Sequence, residues 1–554
     1  MATDFFNANE AILTQALSAI AERGFWTPHP EMPSPRVYGE QAAEQGVASF
    51  QSYQSSDFPL SLDGAQSKVG EEVSPFGLKL KIRYPSVPAA ALVEQSGFAL
   101  ESWREAGPKA WVGVCLEIIK RLNQRSFDVA NAVQHTSGQA FMMAFQAGGP
   151  HAQDRGLEAV AYAWQEMSRV PGLTEWVKPQ GKHDPVSMRK KFTIVPRGVA
   201  LVVGCSTFPT WNSYPGLFAS LATGNTVIVK PHPAAILPLA ITVKIAREVL
   251  AEAGFNPNVV LLAAHDADDD TAQTLALNPE VKIIDYTGSS ENGNWLEANA
   301  RQAQVYTEKA GVNQVIIDSV EDIGLVARNL AFSFALYSGQ MCTAPQNIYI
   351  PKDGISTAEG PLSFDEVAQA LADAVQKLIS NHERAVEITG AIQNVATEAR
   401  IDEAKALGLK VWADSESLMH PQFEHARIRS PLLLEATADN PAIMREWFGP
   451  IFFLVKTDST QQSIALAGKT VKEQGALTLS AYTTNDDIAK QVQRMAERAG
   501  VSLSLNLTGA VFINQTAAFS DYHGTGANPA ANAALSDAAY VANRFRVVQT
   551  RWHV

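Results

Sequence analysis

GVALVVGCSTFPTWNSYPGLFASLATGNTVIV, residues 198–229, is a run of 32 residues without a single Asp, Glu, Lys or Arg. Such a run is either a membrane span or the buried centre of a sheet, and its own residues decide between them. Pro209, Pro215, Asn212, Asn225, Gly204, Gly216 and Gly224 interrupt it, whereas a spanning helix needs about 20 mostly apolar residues with every backbone group satisfied. Read in pieces, 199–203 is a β-branched run suited to an inner parallel strand, 211–223 is helical, and 226–229 is a second strand. The unit is strand, helix, strand.

The same rhythm extends downstream. Ile241, Ile245, Val249 and Leu250 recur at helical spacing before Gly254, a natural stop, and 259–262 reads as a short buried strand. Residues 281–286 form another strand, 287–293 a Gly-bearing turn, and a helix starts at Trp295. Beyond these, 315–317, 323–334 and 347–350 alternate again, which is the signature of a doubly wound α/β architecture with parallel sheets. Upstream, Trp111, Val114, Cys115, Ile118, Ile119 and Leu122 share one helix face, so 100–170 reads as helices packed on the sheet. Between them lies a polar link, 177–197, carrying Arg189, Lys190 and Lys191. After Asn514 the chain turns rich in Ala, Asn and Gly, and reads as a loop, a helix and an edge strand.

Composition narrows the class. The chain has 554 residues, 46% hydrophobic and 18% charged, enough for a large core without disulfide or metal staples. With 44 Lys+Arg against 57 Asp+Glu, its net charge of −13 does not draw DNA or anionic lipid. Cys115, Cys205 and Cys342 form no CxxC pair, so neither a disulfide framework nor a Cys-based zinc site is expected, and a reducing cytoplasm fits. The N-terminal segment puts Asp4 and Glu10 before its apolar positions, the reverse of a secretory leader, and reads as an amphipathic cytosolic helix. The 11 histidines show no HExxH or HxH, so no metal is assigned.

Several residues stand out chemically. Cys342, in SGQMCTAPQN, is a nucleophile if nearby helix amides lower its pKa, and otherwise a small buried side chain. Glu308, in VYTEKAGVN, is a general base if partly desolvated, or else a solvated carboxylate paired with Lys309. Asn212 sits inside the uncharged run, where a buried amide must find partners or donate to a developing oxyanion. The turn from Thr287 through Gly288 and Ser289 to Gly293 joins a strand to a helix and suits a phosphate, although its glycines do not form GxGxxG. Lys230 leaves the C-terminal end of a strand, facing the usual ligand crevice or snorkelling at the surface. In REWFGPI, Glu446 could bind ribose hydroxyls and Phe448 could bound a nicotinamide; alternatively the segment is an ordinary turn.

Taken in order, PTWN, GNTVIVKP, YTGS with Gly293, Glu308, SGQMCT and EWFGP resemble the aldehyde dehydrogenase superfamily over residues 190–460, and HTSGQAFMMA and SAYTTND extend the likeness to most of the chain. Its wording is most similar to the variant of that family associated with phenylacetate degradation. The resemblance implies two doubly wound parallel-sheet domains plus a small bridging extension. A dinucleotide-binding domain would comprise 1–176 and 198–308, a catalytic domain 309–512, and a bridging and oligomerisation extension 177–197 and 513–554.

It implies Cys342 as nucleophile, Asn212 as oxyanion donor and Glu308 as the base that activates water. Lys230, Trp211, Gly288, Ser289, Gly293, Glu446 and Phe448 would hold NAD or NADP. It further implies a cytoplasmic homodimer or homotetramer acting on a small aldehyde, which the phenylacetate variant suggests is a ring-opened semialdehyde linked to coenzyme A. The basic group Arg189, Lys190 and Lys191 would then meet coenzyme A phosphates.

Two departures qualify the likeness. Where the family carries a Glu three positions beyond the strand-end Lys, this chain has Pro233, preceded by His232. Losing that carboxylate removes repulsion toward a 2′-phosphate, so NADP is expected to be preferred. The usual Leu-Gly-Gly after the catalytic Glu reads Lys309-Ala310-Gly311, and the C-terminal aromatic and glycine motif becomes Asp521-Tyr522-His523-Gly524, so substrate shape does not carry over. The alternatives are a coenzyme A-acylating dehydrogenase, which Glu308 argues against, and a non-catalytic protein that kept the fold.

Overall fold

The fold was obtained as a computed structural model that describes residues 2–267, 269–309 and 311–554; Ala310 lies outside the described residues. The uncharged run folds as read. Strand β3 (Val199–Val203) is followed by helix α2 (Pro209–Ala222) and strand β4 (Thr226–Lys230), after helix α1 (Ala152–Ser168) and strands β1 (Leu173–Gln180) and β2 (His183–Pro196). Pro209 occupies the first turn of α2, where a missing N–H costs nothing, so the helix begins two residues earlier than its periodicity suggests.

Helix α3 (Leu237–Glu252), β5 (Val260–Leu262), β6 (Val281–Thr287), helix α4 (Ser290–Asn299) and β7 (Gln304–Glu308) complete a five-stranded sheet. Its order is β5-β4-β3-β6-β7 and every pair is parallel. Strands buried on both faces need near-continuous apolar runs, and Val199–Val202, Val227–Val229, Val260–Leu262 and Ile283–Ile284 are buried throughout. The strand order reverses between β3 and β6, while the strands stay parallel. Ligands of open α/β sheets sit at such a switch point, outside the carboxyl ends of the strands.

A second sheet of seven strands follows: β8 (Asn313–Ile317), β9 (Pro345–Pro351), β10 (Val411–Ala413), β11 (Leu432–Thr437), β12 (Ile451–Thr457), β13 (Thr478–Tyr482) and β14 (Ser502–Leu505), with helix α5 (Ile323–Ala335) between β8 and β9. The order is β10-β11-β12-β9-β8-β13-β14, parallel except for the antiparallel β10–β11 pair. The polar link and the tail meet in a third sheet, β15-β2-β1, where β15 (Phe545–His553) runs antiparallel to β2. Arg189, Lys190 and Lys191 lie on β2, with the Lys190 ammonium 4.9 Å from the Trp176 ring centre.

Buried polar contacts tie the tail to the first sheet. Arg544 makes a two-pronged pair with Asp285 on β6 (2.6 and 2.7 Å) and donates to Ser220 on α2 (2.7 Å), while Tyr540 donates to Asp285 (2.6 Å). Among the described residues no helix is long and apolar enough to cross a membrane.

Candidate active site

A cleft of about 770 Å³ opens at the switch point. Its wall comes from the ends of β3 (Val203, Gly204), β4 (Lys230) and β6 (Thr287, Gly288), the start of α2 (Asn212), and Glu446 with Phe448 from the second half. Cys342 and Glu308 line the same cleft. The volume falls in the range of cofactor pockets, about 300–1,000 Å³.

The Cys342 segment is held by backbone that few residues adopt. Tyr337 (φ 52°), Ser338 (φ 51°) and Gly339 (φ 63°) are three successive left-handed residues. Strain of this kind persists only where the surroundings over-determine it, and it concentrates at functional sites. Here the Tyr337 hydroxyl donates to the Ser137 carbonyl, and a Cβ on Gly339 would stand 2.3 Å from the Gly449 carbonyl, so the WFGP turn presses against this bend. Asn313 fixes the far side. Its amide donates to the carbonyls of Cys342 (2.7 Å) and Ala344 (2.8 Å) and accepts from Leu477 and Thr478 N–H.

Glu308 ends β7 almost completely buried, at 1% exposure, and does not pair with Lys309, whose ammonium turns to Glu297 (3.1 Å) and Asn294 (2.9 Å). Its Oε2 accepts from the Asn212 amide at 2.9 Å. Its Oε1 lies 3.1 Å from Nε2 of His523, at ion-pair distance but without hydrogen-bond alignment. The same Nε2 is 3.9 Å from the Cys342 sulfur. Burial alone would raise the Glu308 carboxyl; the His523 imidazole and, more weakly, Cys342 and Arg155 overcome it and hold it below its usual value. Burial pushes the Cys342 thiol well up, and the Glu308 charge adds to that. Cys205 also reaches this region, its sulfur 3.6 Å from Oδ1 of Asn212.

The cofactor-side residues divide. Gly288 and Ser289 border the cleft, and Ser289 caps α4 by accepting from the Asn292 N–H at 3.4 Å. Gly293 lies beneath instead: a Cβ there would meet the Lys309 side chain at 2.5 Å. Trp211 is not among the residues of the cleft wall and packs against Phe208, the edge of His523 (4.6 Å) and the Arg155 guanidinium (4.7 Å). Arg189, Lys190 and Lys191 also lie outside the cleft wall.

Lys230 is buried, which lowers its pKa to about 8 against the opposing pull of Asp269. His232 and His265 join it on the cleft wall, with Asp269 and Asp270. Burial, then Lys230 and His265, take His232 down to about 4. The buried Nε2 of His265 has no hydrogen-bond partner among the described residues, an orphaned donor or acceptor that a nucleotide could satisfy. Glu446 borders the cleft beside Phe448, and burial pushes its carboxyl up to about 7.

Sequence reading missed His523 and Asn313. His523 was visible only as an altered motif far along the chain, and Asn313 as a polar residue opening an apolar strand. The atoms of Glu308, Cys342 and His523 lie within 4.8 Å of one another, the single grouping among the described residues whose spacing would also admit a metal ion. No metal is assigned to it; Glu308 Oε2 already accepts from the Asn212 amide.

Comparisons with known proteins show relatives of the same fold. A crystal structure of an NAD-dependent aldehyde dehydrogenase from Burkholderia multivorans superposes with a TM-score of 0.98 at 61% identity, over 99% of each chain. A 1-pyrroline-5-carboxylate dehydrogenase from Thermus with bound NAD superposes with a TM-score of 0.73 at 16% identity, over 96% of this chain and 99% of that one, a likeness of fold. In sequence, 1-pyrroline-5-carboxylate dehydrogenase of Bacillus cereus is 21% identical over 489 residues, 85% of this chain and 89% of that protein. Some sequence matches are partial: one relative from Caenorhabditis elegans is matched over 53% of its length. The aldehyde dehydrogenase family model matches residues 85–527, and with that match over most of its length the chain belongs to the aldehyde dehydrogenase family.

Proposed function

We propose that the protein is an NAD(P)-dependent aldehyde dehydrogenase that oxidises an aldehyde to the carboxylic acid, with Cys342 as nucleophile, Asn212 as oxyanion donor and Glu308 as general base. The observation that carries this reading is the meeting of the three side chains on the wall of one switch-point cleft. Cys342 as thiolate adds to the aldehyde carbon, and the thiohemiacetal oxyanion takes hydrogen bonds from the Asn212 amide and the Cys342 N–H. The nicotinamide cofactor, when bound, supplies the hydride acceptor. Glu308 then removes a proton from water, which attacks the thioacyl carbon and releases the acid. Asn212 has two amide hydrogens, so it can hold Glu308 and still donate to substrate.

Cys342→Ala is expected to abolish NAD(P)H formation while leaving the circular dichroism spectrum and melting temperature intact; residual turnover would defeat the assignment. Release of free acid, unchanged by added coenzyme A, separates this reading from an acylating enzyme.

Lys230, His232 and His265 would surround a 2′-phosphate, and Pro233 leaves no carboxylate at that position to repel it. NADP is therefore proposed as the preferred cofactor, with NAD accepted. Asp269 and Asp270 act in the opposite sense, so turnover at matched NAD and NADP concentrations is the deciding measurement, and a strong NAD preference would overturn the proposal. The proposed substrate is a ring-opened semialdehyde of phenylacetate breakdown, carried as a coenzyme A thioester, supported by the sequence resemblance. NADP-dependent assays on free and thioester-linked semialdehydes test it; equal rates with both would remove the coenzyme A requirement. We propose also that the protein acts in the cytoplasm, as a homodimer or homotetramer, with 1–176 and 198–308, 309–512, and 177–197 with 513–554 as its functional divisions.

A further inference from the structure

The C-terminal segment 514–537 brings a histidine to the reacting centre. Asp521 accepts from the Ala517 N–H (2.7 Å), Gly524 N–H donates to Ala534 (3.4 Å), and His523 N–H donates to Ser536 (3.5 Å). The imidazole is buried, at 2% exposure. One nitrogen, Nε2, faces both the Cys342 sulfur at 3.9 Å and the Glu308 carboxylate at 3.1 Å; the other, Nδ1, is buried without a hydrogen-bond partner among the described residues. No acceptor therefore fixes the tautomer at Nδ1, and the contacts of the ring nitrogens lie on the Nε2 side.

We propose that His523 is a fourth catalytic group, whose Nε2 takes the proton of the Cys342 thiol so that the nucleophile attacks as a thiolate beside an imidazolium. The inference rests on Cys342 being the nucleophile. In the step the S–H bond breaks, the N–H bond forms, and sulfur keeps the electron pair it then gives to the aldehyde carbon. When water later cleaves the thioacyl bond, sulfur leaves as thiolate and meets the same imidazolium, while the water proton goes to Glu308. His523 thus keeps its proton through successive turnovers.

The electrostatics call for such a group. A buried thiol next to a carboxylate resists ionisation from two causes, and a cation between them answers both. The other charged or titratable groups around His523 do not stand in for it. Arg155 on α1 lies across the Trp211 ring and 3.6 Å from Glu158, Cys205 follows β3, and Glu446 adds a further negative charge toward Cys342.

The test is alkylation of Cys342 by iodoacetamide as a function of pH, read by peptide mapping so that Cys115 and Cys205 are counted separately. In the full-length enzyme, His523→Asn and His523→Gln are expected to slow labelling at pH 7 by about tenfold or more and to move the midpoint of the profile up by about one unit or more, rates converging near pH 10. In the His523→Ala enzyme, added imidazole is expected to restore part of the lost rate. Superimposable profiles for wild type and variants would overturn the proposal. Failure of wild-type Cys342 to react at any pH would instead overturn the nucleophile assignment. Should the His523 variants fail to fold, the 240 nm thiolate absorbance of wild type minus Cys342→Ser decides: an inflection below about pH 8 supports the pair, and one confined above pH 9 refutes it.

Discussion

Glu308 and Cys342 are close enough that each alters the other's ionisation, and that coupling sets what single substitutions do. Glu308→Gln keeps the acceptor for Asn212 but removes the base. The first hydride transfer should survive and thioester hydrolysis should slow by about 10²–10⁴-fold. Stopped flow would then show a burst of one NAD(P)H per site followed by a near-silent steady state; an unreduced steady state would deny Glu308 its role. Glu446 gives a pH dependence. With its carboxyl pushed up to about 7 by burial, it is protonated below that pH and loses an acceptor for ribose hydroxyls, so cofactor affinity should rise with pH through 7 and then level off. One proton limits the slope to about tenfold per pH unit. Fluorescence titration with NADPH measures it, and Glu446→Gln should flatten the curve. That Cys342, Glu308 and Asn212 meet on one cleft wall was legible because each stands in a local motif. Adjacent helical residues point about 100° apart, so Trp211, next to Asn212, packs against Arg155 and His523 instead of lining the cleft wall. His523 was hidden because its partners are 181 residues away or more.

Among elements, α2 carries the most constraint. Its charge-free sequence exists because the helix is packed on the sheet and crossed by the tail. Pro215 is accommodated inside it, and Gly216 lies so close to β6 that a Cβ would stand 2.5 Å from the Asp285 carboxyl carbon. Asp285 is the carboxylate that holds Arg544, a guanidinium with no exposed surface that also grips Ser220 one turn along α2. Gly216→Val should both overpack this contact and pry the ion pair apart, at a cost of about 3 kcal/mol or more. Thermal unfolding of the variant against wild type is the check, and an unchanged midpoint would mean that the pair yields without loss. The strand-helix-strand identity of this region was readable from β-branching and the Gly and Pro positions. The Arg544–Asp285 clamp was not, since nothing local to residue 285 or 544 signals a partner 259 positions away.

At the scale of the molecule, the three-stranded sheet and the seven-stranded sheet each end on an open edge, β1 and β14. The link and the tail were readable as an extension; what the sequence could not show was that they pair with each other, with Phe545 opposite Pro196 and Trp552 opposite Arg189, because strand register is settled by distant partners. Along β1, Leu173 and Val177 are more than half exposed and lie on one face, because side chains alternate along a strand, and Trp552 joins them across the Arg189 row. Exposed apolar side chains beside an unpaired edge make a surface that native proteins cover or charge. Glu175, Arg189 and Lys191 share this face with them, so the surface is mixed apolar and charged. The proposed self-association would bury it. Light scattering should then give at least twice the 59.8 kDa chain mass, and the paired substitution Leu173→Asp with Val177→Asp should shift the protein toward monomer with its core unchanged. Because both positions are solvent-facing in the isolated chain, the variant should retain its secondary structure, so a loss of assembly is readable apart from a loss of fold. A wild-type monomer would refute the association, and an assembled double variant would move the interface away from β1.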